Sequence, residues 1–330
     1  MKIYPLKLQN VLKEIIWGGD NLSTKYGLGT PGQNIAEAWT LTLRPDGINV
    51  IENGEAKGMT LEEYAEKVGM AALCGENFEG KFPLDFPLLV KLIDAKQSLS
   101  VQVHPDNAYA HSHGIDMGKT EMWYIVDCEP GAQLIIGLKD GTDMSSPEFV
   151  KALESGNISE YFNYVDVKKG DIFYIPAGLV HAIGAGILIA EIQQNSNTTF
   201  RIYDYGRVGA DGKPRELHLD KARDAMKTDF SEDHTITSAM LPDTVGMPVS
   251  IVQSEFFSTS LLHLDNGSYT FEGGVMTHVM CIDGNGELEY LDGDENVTID
   301  IPAAHSVLVP AAFGDFTLKA RGKASFTLAR

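Results

Sequence analysis

The fold of this chain is decided by the stretch Gly170-Asp171-Ile172-Phe173-Tyr174-Ile175-Pro176-Ala177-Gly178-Leu179-Val180-His181. Its first two residues favour a turn, because glycine accepts a positive φ and aspartate bonds back to its own backbone. The apolar run 172–175 predicts a short strand, which Pro176 ends because proline has no N–H to give to the ladder. His181 then enters the next strand, where side chains alternate between two faces and the imidazole can point into a barrel. An inward imidazole needs a polar partner, and a metal ion is one such partner.

Two segments upstream supply further candidate ligands. In Leu99–His104 polar and apolar residues alternate, so Gln102 and His104 lie on the same face of a predicted strand. After the polar loop 105–120, Glu121 begins another predicted strand. Two imidazole nitrogens, a carboxylate oxygen and an amide oxygen form a donor set that suits Zn²⁺, with Fe²⁺ or Mn²⁺ as alternatives. We therefore predict one zinc ion per chain, bound by Gln102, His104, Glu121 and His181.

The spacing G-x5-P-x-G-x2-H of residues 170–181 is similar to the second half-motif of a cupin barrel. Two features differ from the common cupin pattern. Gln102 stands where a histidine is usual, and the gap from His104 to Glu121 is longer than the usual few residues. We expect a mostly β fold of two cupin-like jelly-roll barrels or sandwiches, with a few short helices in the N-terminal part.

Over nearly its whole length the sequence resembles the type I phosphomannose isomerases. The segments VQVHPD at 101–106 and KTEMWY at 119–124 are specific, because few cupins pair glutamine with histidine in this way. Members of the family depend on zinc and interconvert mannose 6-phosphate and fructose 6-phosphate, so the resemblance implies a small sugar phosphate as substrate. The other matching segments are Glu14–Gly19, Glu37–Trp39, Pro87–Ala95 and Arg201–Arg207.

The resemblance also implies roles for individual residues. It assigns the same four zinc ligands that the strand pattern predicts, and it makes Arg201 the active-site arginine. Lys91, Lys119 and Glu191 match pocket positions of the family. Trp17 and Ser100 lie in matching segments, and we expect them to bind substrate.

The implied chemistry is an aldose–ketose isomerisation through an enediol or enediolate. A divalent cation stabilises this species as a Lewis acid, and Arg201 adds a permanent positive charge. Glu191 is the candidate base, because its apolar neighbours in the sequence favour a raised pKa. Alternatively, Glu191 only pairs with Arg201 or a lysine. Lys91 and Lys119 either bind phosphate or shuttle protons, and the sequence leaves both roles open.

We expect the chain to divide into two units. The first, 1–230, is a catalytic cupin unit with helical insertions and a linking helix, and the second, 245–330, is a metal-free jelly roll docked through 215–227. Helices are predicted over Thr60–Val68, Ser146–Glu154 and Arg215–Lys227, and strands of the second unit over Thr277–Ile282, Gly286–Leu291 and Phe316–Ala320.

The second unit carries a weak repeat of the first. The segment Ile301–Ala312 parallels the one that leads through Pro176, but Asp315 stands where the repeat would place a histidine, and no Gln-x-His pair precedes it. We therefore expect no metal there. Four histidines outside the predicted site are interpreted as surface or packing residues: His111, His113, His278 and His305.

The composition disfavours some classes of binding partner. The 330 residues carry a formal net charge of −20, which disfavours a broad surface for nucleic acid or an anionic membrane. The three cysteines are far apart and are expected to be reduced thiols. The N-terminal residues show no signal-peptide pattern, and the sequence predicts a cytoplasmic enzyme. The oligomeric state stays open.

Three alternatives compete with this function. A sugar-responsive binding protein would keep the barrel without turnover, but the complete ligand set with Glu191 and Arg201 argues against it. An iron-dependent cupin oxygenase would use a histidine-richer set, so Gln102 disfavours it. An isomerase of a related sugar phosphate also stays possible, because such substrates differ only in the stereochemistry of their hydroxyl groups.

Overall fold

The computed structural model describes all 330 residues except 77, 79–85, 116, 210–211, 228–229, 231–234, 237–239 and 242–243. Strands outweigh helices in the described residues, which confirms the predicted mostly β fold. Within the same residues, the helices are too short or too polar to cross a bilayer.

Most of the regular structure consists of short antiparallel strands. In chain order the strands are β1 (Leu6–Gln9), β2 (Val11–Lys13), β3 (Glu37–Leu41), β4 (Leu43–Arg44), β5 (Gly47–Ile48), β6 (Val50–Ile51), β7 (Leu88–Ala95), β8 (Val101–Val103), β9 (Glu121–Cys128), β10 (Gln133–Leu138), β11 (Phe162–Asp166), β12 (Ile172–Ile175), β13 (His181–Ile183), β14 (Ile187–Gln194), β15 (Phe200–Tyr203), β16 (Thr235–Ile236), β17 (Val249–Gln253), β18 (Ser258–Asp265), β19 (Ser268–Phe271), β20 (Thr277–Asp292), β21 (Glu295–Pro302), β22 (Ser306–Val309) and β23 (Phe316–Ala329). The helices are α1 (Asn21–Thr24), α2 (Leu61–Val68), α3 (Met70–Cys74), α4 (Asn107–Ser112), α5 (Pro147–Ser155) and α6 (Leu219–Ala225), with a 3₁₀ turn at Ser159–Tyr161.

Two sheets face each other and form the first jelly roll. The large barrel sheet has the strand order β16-β12-β9-β14-β7-β3-β2, and the small barrel sheet has the order β11-β10-β13-β8-β15. Apolar side chains of both sheets form one core cluster, in which Trp123 and Phe173 come from the large sheet and Leu134 and Ile183 from the small one. This shared core identifies the space between the two sheets as the barrel interior.

A third sheet, the C-terminal sheet, contains the strands from β17 onward and also two strands from the beginning of the chain. Its order is β17-β18-β23-β20-β22-β1-β6, with β19 on β23 and β21 on β20. β1 pairs antiparallel with β22, with Leu6 opposite Leu308. The N-terminal residues therefore join the C-terminal sheet, and the division at 1–230 and 245–330 stays a prediction.

The large barrel sheet is buried on both faces. All eight side chains of β14 are buried. Ile189 packs in the core between the barrel sheets, whereas Ala190 and Ile192 pack in the core shared with the C-terminal sheet. Because consecutive side chains alternate between faces, Glu191 points into the barrel interior like Ile189. Burial on both faces explains why the sequence around Glu191 is a continuous apolar run.

Two of the predicted helices are confirmed. Thr60 caps α2 with the predicted capping box, in which its hydroxyl accepts from Glu63 N and the Glu63 carboxylate accepts from Thr60 N. Ser146 caps α5 in the same way through its hydroxyl, which accepts from Phe149 N.

The linking helix is shorter than predicted, since α6 begins at Leu219 and not at Arg215. The preceding residues bind to β15 instead. His218 N donates to Arg201 O, and Glu216 O accepts from the Arg201 guanidinium. α6 itself packs on β15 and β8 of the small barrel sheet. The docking of the second unit through 215–227 stays a prediction.

The predicted strands of the second unit are longer in the structure. Thr277–Ile282 and Gly286–Leu291 belong to the single strand β20, which passes through Gly284 at a φ of 74° and shifts its register against β23 there. A glycine accepts this conformation without steric cost, so the strand bends without ending. The third predicted strand, Phe316–Ala320, continues to Ala329.

Candidate metal centre and active site

A row of three polar side chains crosses the small barrel sheet. Gln102 on β8 lies directly opposite His181 on β13 and, on its other side, directly opposite Arg201 on β15. Directly opposed residues share one face of a sheet. The turn predicted from 170–181 produces this arrangement, because β12 ends at Ile175 and β13 begins at His181.

The two predicted histidine ligands converge on one point. The Nε2 atoms of His104 and His181 lie 3.1 Å apart, and both side chains are buried. Each Nδ1 lies 2.8 Å from a main-chain carbonyl oxygen, that of Thr198 for His104 and that of Leu179 for His181. Because a carbonyl oxygen only accepts, each Nδ1 carries the proton and each Nε2 presents a lone pair. Burial lowers the pKa of both rings, to about 3 for His104, which favours these neutral forms.

Glu121 brings a carboxylate to the same point. Its side chain is fully buried at the beginning of β9. Oε1 lies 3.4 Å from His181 Nε2 and accepts no hydrogen bond in the described part of the chain, and Oε2 lies 3.6 Å from His104 Nε2. Two lone pairs and a carboxylate repel one another in a dry interior unless a positive charge lies between them. The arrangement therefore fits a divalent cation.

Gln102 completes the predicted ligand set. Its amide Nε2 lies 3.3 Å from His181 Nε2, so the end of the side chain reaches the histidine pair. The oxygen and nitrogen of an amide exchange places by a 180° rotation, and the rotated amide presents its oxygen to the same point. The ligand atoms of His104, Glu121 and His181 lie within 4.8 Å of one another. Nitrogen and oxygen donors of this kind suit Zn²⁺.

Lys119 lies beside this cluster, between Glu121 and Glu191. Its Nζ is 2.6 Å from Glu121 Oε2, 3.2 Å from His104 Nε2 and 4.0 Å from Glu191 Oε1. Burial opposes the ionisation of Glu121, but Lys119, His104 and His181 together outweigh burial and hold the pKa of Glu121 well below its usual range, with Lys119 contributing the most to the lowering. Glu121 is therefore an anionic donor.

A second row of side chains crosses the large barrel sheet. Glu191 lies directly opposite Lys91 on one side and Trp123 on the other. Lys91 Nζ is 3.3 Å from Glu191 Oε2 and 3.6 Å from Glu37 Oε2, and Trp123 Nε1 donates to Glu191 Oε1 over 3.1 Å. Burial, and next the negative charge of Glu121, raise the pKa of Glu191, which is the direction expected of a base. The contacts of Glu191 with lysines also match the alternative pairing role.

The two rows meet in a cavity of about 320 Å³. Seven residues predicted from the sequence line it: Trp17, Lys91, Ser100, Gln102, Lys119, Glu191 and Arg201. The structure therefore brings together all the predicted substrate-binding and catalytic residues.

Arg201 donates three hydrogen bonds that hold it in place. Its Nε donates to Ser100 Oγ over 3.3 Å, its Nη1 donates to Glu216 O over 2.7 Å, and its main-chain N donates to His218 Nδ1 over 3.1 Å. These partners are neutral, and in the described part of the chain no carboxylate forms an ion pair with the Arg201 guanidinium, which lines the cavity. Burial, and next the nearby charge of Arg215, lower the pKa of Arg201.

The remaining histidines lie away from the cluster. His111 and His113 are exposed at the end of α4, a helix within the predicted loop 105–120, and His113 stacks on Tyr109. His278 is buried in β20, and His305 lies half-buried after β21. The packing role predicted for His278 is confirmed, as is the exposure of the pair on α4.

The sequence did not predict two charged residues that line the cavity, Glu37 and Arg215. Glu37 accepts a hydrogen bond from Trp39 Nε1 over 2.6 Å and contacts Lys91. The matching segment Glu37–Trp39 gave a signal for it, but no role followed from the pattern. Arg215 lines the cavity beside Arg201, and it fell within a segment that was interpreted as a helix.

Comparisons with known proteins agree with this site. Residues 5–130 match the family model for the phosphomannose isomerase type I catalytic domain. The chain is 36% identical to mannose-6-phosphate isomerase ManA of Bacillus subtilis over 97% of both chains, and 40% identical to mannose-6-phosphate isomerase of Streptococcus mutans over 67% of both. It superposes on the crystal structure of mannose 6-phosphate isomerase from Bacillus subtilis with a TM-score of 0.83 at 33% identity, covering 99% of each chain.

The facing sheets, the buried histidine–glutamate cluster and the polar cavity above it define an enzyme of the cupin class. The comparisons identify the family within this class. The chain belongs to the type I phosphomannose isomerase family.

Proposed function

We propose that this protein is a zinc-dependent isomerase that interconverts mannose 6-phosphate and fructose 6-phosphate through an enediol or enediolate. One observation carries the proposal. Two imidazole lone pairs and an ionised carboxylate converge at 3.1–3.6 Å in the barrel interior, next to a cavity that also contains Glu191 and Arg201. Family membership and the names of the full-length relatives support mannose 6-phosphate as the substrate.

The metal would be held by Gln102, His104, Glu121 and His181. When bound, the cation supplies Lewis-acid stabilisation of negative charge on the sugar oxygens. The hydrogen bonds of the two imidazoles to main-chain carbonyls keep both rings in the tautomer that offers Nε2. The ligands are thus oriented by the fold before the metal binds.

Glu191 moves the proton between C1 and C2 of the sugar. Its carboxylate is buried and lines the cavity, and burial raises its pKa toward the range in which a carboxyl group both accepts and returns a proton. Lys91 and Trp123 hold the two carboxylate oxygens by an ion pair and a hydrogen bond. Their contacts fix the direction in which Glu191 faces the substrate.

Arg201 stabilises the developing enediolate from the opposite wall of the cavity. The hydrogen bonds to Ser100 and to Glu216 O fix its guanidinium before substrate arrives, so little reorganisation is needed during the reaction. Lys119 lies between the metal ligands and Glu191, where its charge stabilises the anionic forms of both carboxylates. Trp17 supplies an apolar wall of the same cavity.

A coupled assay that follows fructose 6-phosphate formation from mannose 6-phosphate, combined with elemental analysis of the purified protein, tests the proposal. We expect one zinc per chain and turnover that chelation removes and added Zn²⁺ restores. Phosphorylated sugars with other hydroxyl stereochemistry serve as matched substrates. A protein free of metal at full activity, or one that turns over another sugar phosphate in preference, would contradict the proposal.

A further inference from the structure

The cavity has two ends with different charge balance. At one end, Lys91 lies between the carboxylates of Glu37 and Glu191, and Lys119 contacts Glu121 and Glu191. The charges of both lysines are therefore compensated within the protein. An anionic group of a substrate gains little by entering this end.

The other end of the cavity carries more positive than negative charge. Asp204 is the one buried carboxylate that the described residues place there, and it pairs with two guanidinium groups, those of Arg207 and Arg215. Arg201 adds a third guanidinium whose side-chain partners are neutral. Three positive charges thus face one buried negative charge. The carboxylate of Glu216 is also near, but its side chain is 83% exposed and solvent screens it.

Asp204 fixes the orientation of Arg215. Arg215 Nε donates to Asp204 Oδ2 over 2.7 Å, and its Nη2 donates to Asp204 Oδ1. This side-on pair uses one edge of the guanidinium and leaves the Nη1 hydrogens for other acceptors. Arg215 lines the cavity beside Arg201 and Ser100.

The backbone next to Asp204 forms a turn that brings Arg207 to the same carboxylate. Residues 204–207 form a tight turn in which Arg207 N donates to Asp204 O over 3.0 Å, and both central residues have a positive φ. One of them is Tyr205 at 57°, a conformation that costs a non-glycine residue roughly 1–2 kcal/mol. The turn brings the Arg207 guanidinium back to the Asp204 carboxylate. The strained conformation of Tyr205 is therefore maintained where it positions a positive charge.

We propose that Arg215 binds the phosphate group of the substrate, and that Asp204 is the positioning residue that holds Arg215 and Arg207 for this purpose. A net charge of about +2 at this end matches a phosphate monoester, which carries about −1.5 to −2 at neutral pH. The inference rests on the proposed function for the identity of the sugar. Binding of the phosphate group itself is independent of turnover.

Kinetics of three single variants test the inference. Arg215→Ala should raise the KM for mannose 6-phosphate about 10–100-fold with kcat nearly unchanged, because a hydrogen bond to a charged group is worth about 1.5–3 kcal/mol and acts equally in the ground and transition states. Asp204→Asn should raise KM in the same way but less. Arg223→Ala is the matched control, because Arg223 pairs with the exposed Asp220 on α6 and should leave KM unchanged.

Calorimetric titration of the zinc-loaded protein with inorganic phosphate provides a second measurement. The Kd for phosphate should rise in Arg215→Ala by a factor similar to that for KM. Asp204→Asn should raise the Kd by a smaller factor in the Arg215→Ala background than in the wild type, because Asp204 acts through Arg215. If Arg215→Ala unfolds, Arg215→Lys replaces it, because lysine keeps the charge but cannot form the side-on pair. This variant should still raise the Kd for phosphate.

The outcomes separate this inference from the proposed function. Turnover of mannose 6-phosphate with an unchanged KM and phosphate Kd in Arg215→Ala would overturn the role of Arg215 and leave the isomerase proposal standing. A wild-type protein that binds phosphate through Arg215 but does not convert mannose 6-phosphate would overturn the isomerase proposal alone. A loss of kcat without a change in KM in Asp204→Asn would contradict its positioning role.

Discussion

The indole of Trp123 connects the candidate base to the candidate metal site. Trp123 Nε1 donates to Glu191 Oε1 over 3.1 Å, and the Trp123 ring packs edge-on against His181 with 5.4 Å between ring centroids. A single side chain therefore orients a carboxylate and supports a metal ligand. Position 123 lies in the specific segment 119–124, so the sequence contains this connection although its pattern did not reveal it.

Replacing Trp123 by phenylalanine should change the pH dependence of catalysis. The indole N–H stabilises the charged form of Glu191, so its loss should raise the pKa of Glu191 further, by about one unit if the hydrogen bond is worth about 1.5 kcal/mol. The acidic limb of the kcat/KM profile should then move to higher pH. Tyr124→Phe on the same strand keeps the site intact and serves as the control. An unmoved acidic limb would show that Trp123 does not stabilise the reacting carboxylate.

Replacing His104 by alanine should remove the metal without unfolding the protein. The barrel is held by its core cluster and its sheets, whereas His104 contributes one of the convergent lone pairs. We expect zinc content to fall strongly and activity to fall by on the order of 100-fold or more. His305→Ala, a half-buried histidine outside the cluster, should keep both zinc and activity. Elemental analysis and circular dichroism of the two variants check the prediction.

Arg201→Ala should affect kcat rather than KM. A preorganised charge that acts on the enediolate strengthens in the transition state, and loss of one such donor lowers kcat by roughly 10²–10³. Zinc content should stay at the wild-type level, because Arg201 lies opposite Gln102 but contacts Ser100 and Glu216. The pattern expected for Arg215→Ala, with KM raised and kcat near normal, would instead assign Arg201 to phosphate binding.

His278 should make the folded state sensitive to acid. Burial lowers its pKa to about 3, and its Nε2 has no hydrogen-bond partner among the described residues. Below about pH 6.5, His278 is protonated in the unfolded chain but stays neutral in the folded protein. The contribution of His278 to the free energy of unfolding is therefore fully present above about pH 6.5 and decreases as pH falls toward 3. The slope is at most about 1.4 kcal/mol per pH unit.

Urea unfolding of His278→Leu between pH 7 and pH 4 tests this effect. The variant should lose less stability over this range than the wild type. His111→Leu replaces an exposed histidine and should follow the wild-type slope. Equal slopes for all three proteins would show that His278 is not protonated on unfolding.

Leu6→Ala should destabilise the protein by about 2–5 kcal/mol. Leu6 is fully buried on β1, opposite Leu308 of β22, and truncation of a buried leucine leaves a cavity. Lys7→Ala changes the next residue of the same strand, which is only half-buried, and should cost less than about 0.5 kcal/mol. The midpoints of urea unfolding measure both. Similar midpoints for the two variants would show that β1 is not an integral strand of the C-terminal sheet.

The sequence predicted those parts of the site that depend on local pattern. Gln102 and His104 reach the same point because they are two residues apart in extended backbone, although β8 ends at Val103, and His181 is placed by a turn whose residues are adjacent in the chain. The whole cavity wall that was predicted, from Trp17 to Arg201, is assembled as expected.

The contacts that the sequence did not reveal are non-local. Arg215 joins the cavity because Asp204 binds it, and no local pattern distinguishes this segment from the beginning of a helix. The pairing of β1 with β22 depends on residues at the two ends of the chain. Local propensity carries no information on either contact.

The pairing of Leu6–Gln9 with Ser306–Val309 has a consequence for synthesis of the protein on the ribosome. β1 also pairs with β6, which follows it closely in the sequence, but β22 is translated only after the strands of the first jelly roll, so this edge of β1 stays unpaired while they are synthesised. Closing a loop of this size also costs more entropy than closing any barrel hairpin. The nascent chain can therefore assemble the first jelly roll early, whereas the C-terminal sheet is completed only after β23 has left the exit tunnel.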